Sequence, residues 1–111
     1  MEVIINLKNI TSKEDIIFRF NEVLKLHTLQ KGIPNWDSFE DDLRHLGSDS
    51  KLVYEMNPKP ENVHLVIKNI GDVKKFSVKE YAMLYNILSR AADQNERRDG
   101  ISFTFDVGEE E

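Results

Sequence analysis

The chain has no cysteine. That removes disulfide cross-links, thiolate zinc sites and a cysteine nucleophile together, and it suits a reducing compartment. No apolar run approaches the roughly 20 residues of a membrane span. The opening Met1-Glu2-Val3-Ile4-Ile5-Asn6 has neither the basic start nor the apolar stretch of a signal peptide. A cytoplasmic protein with no membrane contact is expected. An excess of positive charge is also missing: 15 Lys and Arg stand against 20 Asp and Glu, for a net charge of -5. The last three residues, Glu109 to Glu111, supply much of that imbalance. Such a balance argues against direct nucleic-acid binding, which calls for a basic face.

What is there is ordinary globular material, 40% hydrophobic and 32% charged over 111 residues, enough for one core. Val3 to Ile5 is a short β-branched run and reads as a buried strand. Ser12 is placed to cap a helix, with Asp15 reaching back from the third helical position. Ile16, Ile17, Phe20, Val23, Leu24 and His27 follow at helical spacing until Lys31-Gly32-Ile33-Pro34 breaks the pattern.

A second helix opens at Asn35, its stripe of Trp36, Phe39, Leu43 and Leu46 stepping by three and four, with Gly47 as its stop. Leu52 to Met56 can be read as a short extended segment, and Asn57 to Asn62 as a Pro-containing loop. Val63 to Ile67 is a strand, followed by a turn at Asn69 to Asp72. Ser77 and Glu80 form a capping box for a third helix running to about Asn95. Its core face is Tyr81, Leu84, Leu88 and Ala91, with Ile87 at the edge. Glu96 to Gly100 is a charged turn, and Ile101 to Val107 alternates as a last strand. Helical stretches between apolar strands predict an α/β fold, a small three-stranded parallel sheet packed against three to four helices. One domain over residues 1–107 is expected, with residues 108–111 as an acidic flexible tail.

Enzyme signatures are missing. His27, His45 and His64 form no i,i+4 pair for a helical zinc site. There is no phosphate loop, no dinucleotide-binding glycine motif and no nucleophile elbow. A non-enzyme without cofactor or metal is expected. The informative stretch is Asn35 to Arg44. At about 100° per residue, Asp37, Asp41 and Arg44 point away from the apolar stripe and Glu40 flanks them. Asp37 and Asp41, one turn apart, present carboxylates about 6 Å apart, a spacing close to that of successive phosphates on a nucleic-acid strand. Two readings stay open. The acids can be a solvated face favoured by the helix dipole, with Arg44 paired to Glu40 or Asp41, or they can be a ridge for a basic partner.

Several of these segments resemble the barstar family, intracellular inhibitors of barnase-type ribonucleases. The opening Val3 to Asn6 with Ile10, Ser12, Asp15 and Ile16 is similar to the family's first strand and capped helix. Asn35-x-Asp37-x-x-x-Asp41-x-Leu43 resembles the family's Asn-Leu-Asp-Ala-Leu-Trp-Asp-x-Leu motif. Leu84, Ile87, Leu88 and Ala91, then Ile101 to Phe105, look like its last helix and strand. The resemblance spans the chain except for about 48–62, which reads as an insertion, and the acidic tail. It implies a barstar-like fold and an inhibitor or immunity (antitoxin) protein whose partner is a ribonuclease or other basic toxin. It also implies that the acidic helix and the loop before it, with Lys31, Ile33, Asp37, Glu40, Asp41 and Arg44, form the binding surface together with Arg90 of the last helix. Three positions depart from the family. Lys31-Gly32-Ile33-Pro34 replaces a Tyr-Tyr-Gly run, Glu40 replaces a tryptophan, and Arg90 replaces an interface glutamate. The alternative expectation is an interaction module that kept the fold without inhibiting a nuclease.

Overall fold

A computed structural model describes residues 1–27, 35–93 and 101–110. In chain order the elements are β1 (Glu2–Asn6), α1 (Lys13–Leu24), α2 (Trp36–Arg44), α3 (Leu46–Asp49) and α4 (Lys51–Tyr54). These are followed by β2 (Asn62–Lys68), α5 (Ile70–Phe76), α6 (Val78–Asp93) and β3 (Ser102–Val107). The three strands form one parallel sheet in the order β1-β2-β3, as the alternation of apolar strands and helices predicts. Ile5 lies opposite Ile67, and Leu65 opposite Phe105.

Because spatial order follows chain order, crossovers of the usual right hand carry every helix to the same face of the sheet. Burial agrees. Val3, Ile5, Val63, Leu65, Ile67 and Phe103 are buried in one core with Phe20, Leu24, Phe39, Leu43, Leu84 and Leu88. Ile4, 49% exposed, and half-buried Val66 point the other way.

The helix ends follow local chemistry. Ser12 Oγ accepts the Asp15 amide at 3.0 Å, as predicted, but the Asp15 carboxylate accepts from Thr11 N at 3.3 Å, one residue before the cap. α1 stops at Leu24, where Lys25 takes a left-handed φ of 53° and its N–H closes on Asn21 O. His27 therefore lies beyond the helix whose face it was expected to extend. Instead of continuing the helix, Leu26 makes an antiparallel bridge to Ser50, and its amide donates to the buried Asn21 Oδ1.

Three short helices depart from the sequence reading, which carries the second helix through Leu46 and has no helix in the rest of those segments. Gly47 does not end α2. The chain breaks at His45 (φ -130°, ψ 46°), and Gly47 is buried inside α3. Leu52 to Met56 is not an extended segment, because α4 covers Lys51–Tyr54, with Ser50 Oγ accepting from Val53 N. The turn expected at Asn69 to Asp72 starts α5, entered through Asn69 at φ 61°. Ser77 Oγ accepts the Glu80 amide at 3.2 Å and so caps α6. The reciprocal half of the expected capping box does not form, because Ser77 N already donates to Val73 O at the end of α5. Residues 108–110, expected as a flexible tail, make three hydrogen bonds: Gly108 N to Ile67 O, Asn69 N to Glu109 O, and Gly71 N to Glu110 Oε1.

Candidate functional site

α2 is short and strongly two-sided. Asn35 Oδ1 accepts the Ser38 amide at 2.8 Å and fixes where the helix begins. One side is sunk in the core: Phe39 and Leu43 are fully buried, and Phe39 meets Phe20 edge-on with ring centroids 5.0 Å apart. The Trp36 ring packs on Phe39 at 5.8 Å, and its Nε1 donates to Glu80 Oε2 at 2.8 Å. Glu80, freed from capping, thus ties the first turn of α2 to α6. Asp42 is buried at 5% exposure, so it leaves the acidic ridge to Asp37, Glu40 and Asp41.

The other side faces water. Asp37 is exposed, and the Asp41 side chain is 69% exposed. Glu40 lies between them with only 14% of its side chain accessible, because two arginines converge on it. Arg44 bonds it from the next turn of the same helix. Arg90 reaches across from α6, with Nη2 at 2.7 Å from Oε1 and Nε at 3.4 Å from Oε2. The Arg90 hydrogen bond is the main influence holding the Glu40 carboxyl below its ordinary value of 4.5. Burial opposes this, and the charges of Arg44 and Arg90 add to the lowering. The Arg90 guanidinium is correspondingly raised, first by the same hydrogen bond.

Asp37, Glu40, Asp41 and Arg44 line a shallow polar depression of about 200 Å³. Five of the seven residues expected at a binding surface are therefore contiguous: these four, and Arg90 through its bonds to Glu40. Lys31 and Ile33 lie outside the described residues. Sequence reasoning missed that Glu40 is shared by two arginines, and it missed Trp36–Glu80 altogether. These partners lie 50 and 44 positions apart, where no helical spacing signals a pair.

Two other features bear on chemistry. Asp41, His45 and Asp49 bring possible metal-ligand atoms within 4.8 Å of one another. Asp41 is exposed while His45 and Asp49 are half-buried, and His45 Nδ1 is already 3.0 Å from Asp41 O. A larger groove of about 550 Å³ is lined by Asn9, Ile10, Thr11, Asp72, Lys75 and Phe76. There Asp72 Oδ2 accepts from Asn9 N at 2.8 Å. No helix among the described residues is long and apolar enough to cross a membrane.

Sequence comparison decides the family. The model of barstar, the barnase inhibitor, matches residues 1–108. The chain belongs to the barstar family. Barstars are inhibitors, not enzymes, and they bind ribonucleases as protein partners. The parallel sheet and one-sided helices agree with the family's fold. No curated protein and no solved structure matches the chain.

Proposed function

We propose that this barstar-family protein is a cytoplasmic inhibitor, or immunity protein, that holds a basic ribonuclease or comparable toxin by laying α2 against its active site. The observation that carries this reading is the pair of outward carboxylates, Asp37 and Asp41, on a helix whose opposite side is fixed in the core. Carboxylates so placed accept charge-assisted, bidentate hydrogen bonds from arginines that would otherwise hold RNA phosphates. A negative patch also speeds encounter with a positive cleft. Packing of Phe39 and the Trp36–Glu80 bond hold the helix in place before binding, so little ordering entropy remains to be lost.

The test is capture from the protein's own cells and secretions by the immobilised chain and by an Asp37→Ala/Asp41→Ala variant. The expected result is a basic nuclease or toxin retained by the unaltered bait alone and inhibited on addition of the protein. Equal retention by both baits would move the binding surface off α2.

A second reading, a non-inhibitory interaction module, is favoured by one observation. Tyr54 and Met56, just before the Pro-containing loop, are 43% and 41% exposed. If they form the contact, Tyr54→Ser/Met56→Ser abolishes partner capture while Asp37→Ala/Asp41→Ala leaves it intact.

A further inference from the structure

The charge at the outer side of α2 is not simply negative. Glu40 is ionised at neutral pH, since its carboxyl is held below the ordinary glutamate value, and both arginines that bind it are charged. Two guanidinium groups share one carboxylate, so this trio carries a surplus positive charge immediately beside Asp37 and Asp41. The surplus is accessible. The Arg90 side chain is 50% exposed and that of Arg44 is 31% exposed, and among the described residues the Arg90 guanidinium bonds only to Glu40. A partner that covers the depression lined by Asp37, Glu40, Asp41 and Arg44 and reaches Arg90 beside it therefore meets two exposed anions and one net cation.

We propose that Arg90 is a specificity-determining residue, which disfavours nucleases that set a cation against it and selects one that sets a carboxylate there. This rests on the inhibitor reading above and names the kind of partner that reading requires. Two cations brought together in a partly dehydrated interface repel strongly, and such a repulsive element is how interfaces reject partners of otherwise suitable shape. Glu40 cannot cancel both arginines, and Asp37 and Asp41 lie toward the partner, where its own cations compete for them.

Barnase serves as the basic probe, with association rates and affinities measured by stopped flow and calorimetry. The proteins compared are the unaltered chain, Arg90→Gln, Arg90→Lys, Asp37→Ala and Asp41→Ala, each checked by its melting curve. Arg90→Gln is expected to associate roughly tenfold faster than the unaltered chain and to bind more tightly, whereas Arg90→Lys, which keeps the charge, behaves like the parent. The gain should vanish near 1 M salt, where the Debye length falls to about 3 Å. A role confined to pinning α2 would give the reverse: Arg90→Gln would bind more weakly at every salt concentration. That result, or equal binding by Arg90→Gln and the parent, overturns the proposal while Asp41→Ala still shows a loss. So does an absence of measurable barnase binding by both. If barnase binds but neither aspartate variant is weakened, the inhibitor reading itself fails.

Discussion

Arg90 Nη2 stands 2.7 Å from Glu40 Oε1, joining α6 to the acidic helix across 50 positions of the chain. The pair sits beside the exposed aspartates. The charge of Glu40 therefore contributes, beside the Trp36–Glu80 bond, to how firmly α2 is held against α6.

That coupling gives the pH dependence a sign. A carboxyl whose value is lowered in the folded state binds protons more readily when the chain unfolds. Its contribution to stability is complete above the ordinary value of 4.5 and disappears as pH falls through the lowered folded value. Glu40→Gln should therefore melt below the parent at neutral pH, and the gap should close below pH 4.5. Melting temperatures of both proteins across an acid series check this. A gap that stays constant would contradict the assignment.

Trp36→Phe keeps an aromatic ring against Phe39 and removes the Nε1 donor to Glu80. A loss of roughly 1.5–3 kcal/mol in unfolding free energy is expected, the range for a hydrogen bond to a charged group, measurable by urea titration. Pairing it with Glu80→Ala, which leaves no acceptor, in a double-mutant cycle isolates the interaction, and the two losses should not add.

Ser50 ties the bridge at Leu26 to the start of α4. Its Oγ donates to Leu24 O at 2.5 Å and accepts from Val53 N at 3.4 Å, with no exposure to water. Ser50→Ala should cost about 1–3 kcal/mol, because the buried Leu24 carbonyl loses this donor, while Val53 N keeps Ser50 O at 3.0 Å. Ser50→Thr keeps the hydroxyl and is expected to recover part of that loss only if the added methyl fits the site. Denaturant unfolding of the two variants decides between them.

For binding, Asp41→Ala should weaken the complex with the captured nuclease by roughly 2–5 kcal/mol, much of it from cations stranded on the partner. Affinity should fall with added salt mainly through slower association. Rates measured at two ionic strengths check both statements, and a complex indifferent to the substitution and to salt would exclude the role.

The sheet and the long helices were legible in the sequence because each carries a periodic signal: alternation in Ile101 to Val107, and steps of three and four from Trp36 to Leu43. Asp37 and Asp41 were placed on the outer side by the same angular argument. α3 and α4 have one turn each and α5 has seven residues, too short to show a stripe, and Gly47 and Gly71 imitate stops. The engagement of Glu40 by Arg90 depends on what α6 brings up from far along the chain, and local spacing carries no information about it. Arg90 was therefore read as an isolated charge reversal, although it has an internal counter-ion.

A parallel sheet with helices on one face has a front and a back. The helix that carries Asp37 and Asp41 belongs to the front, while Ile4, Asp106 and half-buried Val66 look out from the back. The two sides can be altered independently. A fluorophore, a surface anchor or a fused domain attached through Asp106 would ride behind the sheet and leave Asp37 and Asp41 uncovered. The strand order thus provides a point of attachment from which the proposed binding can be reported without standing in its way.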